Sequence, residues 1–132
     1  MIYPLKLKYF AKTALWGGNT LKNEWKKPCE YDKLAETWEL TLRPDAVNTV
    51  LNGELAGKRL DEIIGNEKFP LLIKFIDAED RLSVQVHPDD RFAAEVENDV
   101  GKTEMWYILD CDEGASLYYG FSRDVTREEY EN

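Results

Sequence analysis

Ser83, Gln85 and His87 occupy alternate positions of Leu82-Ser83-Val84-Gln85-Val86-His87. In an extended chain successive side chains point to opposite faces, so these three share one face while Leu82, Val84 and Val86 share the other. A polar triplet turned away from an apolar face meets either bulk water or a polar cavity. Pro88 and Asp89-Asp90 end the run directly after His87. Lys102 and Glu104 share a face in the same way in Gly101-Lys102-Thr103-Glu104-Met105-Trp106. Where two such segments pair, Gln85, His87 and Glu104 converge. Imidazole nitrogen, carboxylate oxygen and amide oxygen are all ligands for zinc, the amide being the weakest. A single carboxylate leaves the ion with net positive charge, which suits a Lewis acid better than a structural site. The residues by themselves leave other readings open. A lone histidine is more often a hydrogen-bonded side chain than a ligand, and Lys102 beside Glu104 also reads as an exposed charge pair of little worth.

The elements that must position these residues are read from period-two alternation. Leu5, Leu7 and Tyr9 alternate with Lys6 and Lys8, and Trp38, Leu40 and Leu42 alternate with Thr37, Glu39 and Thr41. Leu82 to His87 and Glu104 to Leu109 follow the same rule, and Ala115 to Phe121 adds a strand rich in Tyr and Leu. Pro70 to Ile76 is almost continuously apolar, as for a strand buried on both faces. Gly17-Gly18, Asn52-Gly53 and, more weakly, Asp112-Glu113-Gly114 are turn signals. Short helices are expected at Leu60 to Ile64, which stops at Gly65, and at Asp89 to Val96, with Phe92, Ala93 and Val96 on one side. Many short strands with few helices predict an all-β sandwich or barrel. Thr126-x-x-Glu129 is a capping box that announces a helix with only a few residues left before Asn132. The expected reading is a domain incomplete at its C-terminal end.

Composition bounds the class. A chain of 132 residues is one domain at most, and 43% hydrophobic with 33% charged residues describes a folded domain rather than a disordered one. No apolar run approaches the roughly 18 residues of a membrane span. The N-terminus lacks a charged-then-apolar leader, so a cytoplasmic location is expected. The net charge of −9 argues against nucleic acid or an anionic membrane as partner. Residues 1–33 carry +4 and the remainder −13; the early lysines are expected to be solvated surface groups rather than an anion site. Cys29 and Cys111 have no CxxC neighbour, and both are expected to be reduced thiols.

Three stretches carry a resemblance: Phe69 to Ala78, then Leu82 to Asp90 with Val84-Gln85-Val86-His87-Pro88-Asp89-Asp90, then Gly101 to Tyr107 with Lys102-Thr103-Glu104-Met105-Trp106. With Trp16-Gly17-Gly18, Glu36 to Leu40 and Val50 to Leu55 upstream, the sequence is similar to type I phosphomannose isomerases over nearly its whole length. The resemblance implies a cupin fold, a double-stranded β-helix or jelly-roll barrel of antiparallel strands, with residues 1–132 as the N-terminal catalytic domain and one zinc inside. The family's zinc ligands are Gln, His, Glu and a second His. Gln85, His87 and Glu104 match the first three, and the fourth has no counterpart, because His87 is the only histidine. Lys102 matches an active-site lysine, a candidate for substrate binding or proton transfer. Ser83 resembles a substrate-side serine, and Trp16 an active-site wall residue. Arg123 and Arg127 do not match the motif of the family's substrate-contacting arginine. The implied reaction interconverts mannose 6-phosphate and fructose 6-phosphate by proton transfer between C1 and C2 through a cis-enediol. The implied partner is thus a small hexose phosphate, held locally by groups such as Lys102, since the overall negative charge does not steer it. The alternative is a truncated, non-catalytic cupin that binds metal or sugar phosphate.

Overall fold

Leu7 lies in the first alternating run and Phe10 directly follows that run, yet the two enter different sheets. Leu7–Lys8 (β1) pairs antiparallel with Thr49–Val50 (β4), and Phe10–Lys12 (β2) pairs antiparallel with Glu36–Leu40 (β3). Ile73–Ile76 (β5) adds to the other side of β3, again antiparallel, for the order β2-β3-β5. The computed structural model describes residues 3–65 and 69–131. They fall into two compact units, Met1–Leu82 and Ser83–Asn132.

In the first unit, Leu21, Leu34, Ala35, Trp38, Ala46, Val50 and Leu60 form the core. Register places Phe10 and Lys74 on either side of Trp38. The indole is covered by the ammonium groups of Lys12 at 4.6 Å and Lys74 at 4.4 Å from the ring centroid. Glu36 binds Lys74 at 3.2 Å and accepts the indole N–H. On the opposite face Lys27 binds Glu39 at 2.8 Å and lies over the Tyr9 ring. Lys12 and Lys27, expected as solvated groups, thus take partners within the unit, while Lys33 pairs with Glu79 at the exposed surface.

Thr37 and Thr41, the polar positions of the alternating run, are fully buried, Thr41 just beyond the end of β3. One expectation for this unit is corrected. Pro70 to Ile76, read as buried on both faces, is half exposed over β5 (Ile73 at 46%) because β5 pairs with β3 alone. The helix expected at Leu60 to Ile64 forms, and a further single turn, not expected, precedes it in the chain. Leu60–Ile64 (α2) ends at Gly65, whose φ of +80° a side chain would resist. Thr20–Asn23 (α1) is a single turn after Gly17-Gly18. These two glycines are not in the left-handed region; they serve close approach, since a Cβ on Gly17 would lie 2.4 Å from the Ala35 Cβ. Gly53, by contrast, takes φ +65° against the Tyr3 ring.

The second unit departs further. Residues 82–87, 104–109 and 115–121, all expected as strands, take part in no strand ladder among the described residues. Alternation sorts side chains onto two faces but does not supply a hydrogen-bonding neighbour, and a strand needs one. The apolar faces are accordingly open, with Val84 at 81% and Met105 at 87% exposure. The helix expected over Asp89 to Val96 forms as Asp90–Phe92 (α3) continued by a π-helical turn, Ala93–Glu97. Of its expected apolar side only Ala93 is buried, while Phe92 and Val96 are exposed. Asp112-Glu113-Gly114 closes a turn with Ala115 donating to the Asp112 carbonyl, and Gly114 takes φ +82°. Cys29 and Cys111 are free thiols. No helix among the described residues is long and apolar enough to cross a membrane.

Arg127–Glu131 (α4) starts with the reciprocal capping box. Glu129 N–H donates to Thr126 Oγ1 at 3.2 Å, and Thr126 N–H donates to Glu129 Oε2 at 2.8 Å. The Thr126 N–H first, then the Arg123 guanidinium, hold the Glu129 carboxyl below the usual glutamate range. A lowered folded-state pKa gives stability above the unfolded value that is lost as pH falls through the folded one. Cα chemical shifts over Arg127–Glu131 are expected to move toward coil values on acidification from the ordinary glutamate pKa downward. Glu129→Gln is expected to flatten that dependence, and an unchanged profile in this variant would contradict the account.

Candidate active site

The site is assembled by what lies between its two segments. Pro88 closes the extended stretch after His87, and Asp89 caps α3 by accepting the Phe92 N–H at 2.8 Å. The helical turns end at Asn98, which takes the left-handed conformation at φ 53°. The chain then returns onto its own starting point. Gly101 N–H donates to Asp90 Oδ1 at 3.0 Å, and Lys102 N–H donates to the Pro88 carbonyl at 3.1 Å. A Cβ on Gly101 would lie 2.5 Å from the Asp90 nitrogen and 2.7 Å from the Asp89 carbonyl carbon, so only glycine permits this approach.

Three side chains meet as a result. Lys102 Nζ lies 2.8 Å from Glu104 Oε2 and 3.2 Å from His87 Nε2, and His87 Nε2 lies 3.4 Å from the same Glu104 oxygen. Trp106 Nε1 donates to the other carboxylate oxygen, Glu104 Oε1. Burial pushes the Glu104 carboxyl up, but the hydrogen bonds from Lys102 and Trp106 and the charges of Lys102 and His87 outweigh it, so Glu104 ionises more readily than an ordinary glutamate. His87 Nε2 faces both the Lys102 ammonium and the Glu104 carboxylate, and which of its roles, donor or acceptor, it takes depends on the ring tautomer. One ammonium thus contacts an imidazole nitrogen and a carboxylate oxygen together.

Ser83 and Gln85 lie in the stretch that leads to His87. Gln85 Nε2 donates to Ser83 Oγ at 2.9 Å, which confirms that the two side chains share a face. This bond engages the amide nitrogen and not the oxygen, the atom of the amide that ligates metals. Trp16 belongs to the first unit and is half-buried. Its carbonyl accepts the N–H groups of Glu79 at 2.9 Å and Asp80 at 3.1 Å.

Residues 4–114 match the family model of the phosphomannose isomerase type I catalytic domain. The chain belongs to the type I phosphomannose isomerase family. It is 42% identical to a mannose-6-phosphate isomerase of Streptococcus mutans, over 91% of this chain and 41% of that one. It is 43% identical to a probable mannose-6-phosphate isomerase, GmuF, of Bacillus subtilis, over 98% of this chain and 44% of that one. Its fold matches the crystal structure of the mannose 6-phosphate isomerase from Bacillus subtilis with a TM-score of 0.80, at 36% identity over 85% of this chain and 39% of that one. The chain therefore spans less than half the length of the phosphomannose isomerases it matches.

The donor chemistry of the phosphomannose isomerase motif fits a divalent metal in part. His87 and Glu104 already face a common cation in Lys102 Nζ. Among the described residues no group of three or more His, Cys, Asp or Glu side chains is placed to hold a metal. The strong donors are therefore two, and Gln85 is the third group of the motif. Reading by alternation missed Pro88, Asp90 and Gly101, which bring the two segments together. The one signal for them was a glycine standing directly before Lys102.

Proposed function

We propose that this chain carries the metal- and substrate-holding part of a mannose-6-phosphate isomerase, built on a cupin barrel. The convergence of His87, Lys102 and Glu104 carries this reading, because it occurs within the family's catalytic domain and between side chains suited to aldose–ketose isomerisation. Gln85, His87 and Glu104 would hold one zinc, which when bound supplies positive charge for an oxyanion developing on the sugar. Glu104, kept ionised by Lys102 and Trp106, provides the anionic ligand. Lys102 is half-exposed, and its ammonium contacts both a carboxylate and an imidazole, so it can bind a sugar-phosphate oxygen or pass a proton between C1 and C2 through a cis-enediol. Ser83 offers a hydroxyl to the hexose phosphate, and the family resemblance assigns Trp16 a substrate-wall role.

The test combines metal analysis with a coupled assay for fructose 6-phosphate. One zinc per chain is expected, lost in His87→Ala and in Glu104→Ala. Full zinc occupancy in either variant would overturn the ligand set. Fructose 6-phosphate formation supports the isomerase. Zinc and sugar-phosphate binding without turnover supports the second reading, a binding module, which the presence of only two strong donors favours.

A further inference from the structure

Asp77 lies directly after β5, and each of its polar groups reaches another part of the chain. Its N–H donates to the Ala35 carbonyl at 2.9 Å, and its carbonyl accepts the Gly18 N–H at 2.9 Å. Its side-chain Oδ2 accepts the N–H groups of Thr20 at 2.6 Å and Leu21 at 3.2 Å. These are the first N–H groups of α1, which a helix leaves unpaired. Asn19, at the usual capping position, makes no side-chain cap bond, and its Oδ1 is buried without a partner. The cap comes instead from a carboxylate more than fifty residues along the chain. Gly18 admits it: a Cβ there would lie 2.5 Å from Asp77 Oδ1.

The residues that follow Asp77 hold the other end of the same strap. Gly17 bridges Ala78, and the Trp16 carbonyl accepts from Glu79 and Asp80. Trp16 thus sits on a backbone held at its own carbonyl and at Gly17 and Gly18 directly after it. We infer that Asp77 is a positioning residue for the Trp16–Leu21 strap and, through it, for the presentation of the Trp16 indole to the substrate. The substrate half of this inference rests on the reading of Trp16 given above.

The test uses the whole chain, hydrogen exchange without ligand, and calorimetric titration with mannose 6-phosphate. Asp77→Ala is expected to speed exchange at Thr20 and Leu21 by about tenfold, the loss of a charge-assisted hydrogen bond. Exchange at Val50, bonded to the Lys58 carbonyl in the core, should stay as it was, which shows that the variant folds. Asp77→Asn keeps an acceptor oxygen and is expected to restore most of the protection. Mannose 6-phosphate affinity should fall in Asp77→Ala and recover in Asp77→Asn. Trp16→Ala should weaken binding by itself, and the double variant should be no weaker than Trp16→Ala. Unchanged exchange in Asp77→Ala overturns the pinning, and additive losses in the double variant overturn the coupling to Trp16. A wild-type chain that binds zinc but no mannose 6-phosphate overturns the functional reading and the substrate half together. The exchange data then decide the pinning on their own.

Discussion

Asn48→Ala is expected to destabilise the first unit by about 3–5 kcal/mol, a large share of the stability of a domain this size. Asn48 is almost fully buried. Its Oδ1 accepts the Thr41 N–H at 2.5 Å, and its Nδ2 donates to the Lys8 and Trp38 carbonyls, each at 3.0 Å. Those carbonyls belong to β1 and β3, which lie in different sheets, so one amide ties the two sheets together. Alanine takes the acceptor from the buried Thr41 N–H and the amide donor from the Lys8 and Trp38 carbonyls, and a buried group left unsatisfied costs about 1–3 kcal/mol. Asn48→Asp is the informative companion. It keeps the shape but turns an oxygen toward two carbonyl oxygens, so it should be no better than alanine at neutral pH. Urea unfolding followed by tryptophan fluorescence measures both. A midpoint for Asn48→Ala indistinguishable from wild type would show that the amide is not the tie.

The contrast between Asn48 and Thr126 shows what a sequence makes legible. The capping box at Thr126 and Glu129 is local: donor and acceptor are three residues apart, so the pattern is itself the contact. The Gly65 stop after α2 is equally local. Asn48 works through residues seven to forty positions away, and nothing in its neighbours announces that. The same limit explains Thr37 and Thr41. Alternation sorts them onto one face, but whether that face is wet depends on what packs against it, which the run's own residues do not state. The open stretches over residues 82–87, 104–109 and 115–121 are the converse case, where faces are sorted and no ladder partner stands among the described residues.

The candidate site was legible to the extent that chemistry travels with residue type. Gln85, His87 and Glu104 are the set expected to converge, with Lys102 beside Glu104; His87, Lys102 and Glu104 lie within 3.4 Å of one another, while Gln85 bonds to Ser83 instead. The residues that hold them there were not legible, because a carboxylate that receives a backbone N–H eleven positions away looks like any surface acid. Asp90 and Asp77 are both of this kind. Glycine is ambiguous for a related reason: it marks either a backbone that must turn or a backbone that must come close, and composition does not distinguish the two.

Gly101 makes that distinction testable. Gly101→Ala is expected to lower zinc affinity by about 10–100-fold, as for loss of a group that orients a metal ligand. The added Cβ meets the Asp90 nitrogen and the Asp89 carbonyl carbon, which are backbone atoms and cannot swing aside. The returning segment must lift from residues 88–90, which breaks the Gly101–Asp90 and Lys102–Pro88 bonds and carries Lys102 and Glu104 away from His87. Gly114→Ala is the control. Gly114 has the strained φ of +82° but nothing within 4 Å of its would-be Cβ, so that substitution strains a turn and leaves zinc affinity near wild type. Asp90→Ala removes one hydrogen bond without adding bulk and should fall between the two. Competition with a chromophoric zinc chelator ranks all three variants. Wild-type affinity in Gly101→Ala, or equal losses in Gly101→Ala and Gly114→Ala, would mean that the close approach of the two segments does not set the metal site.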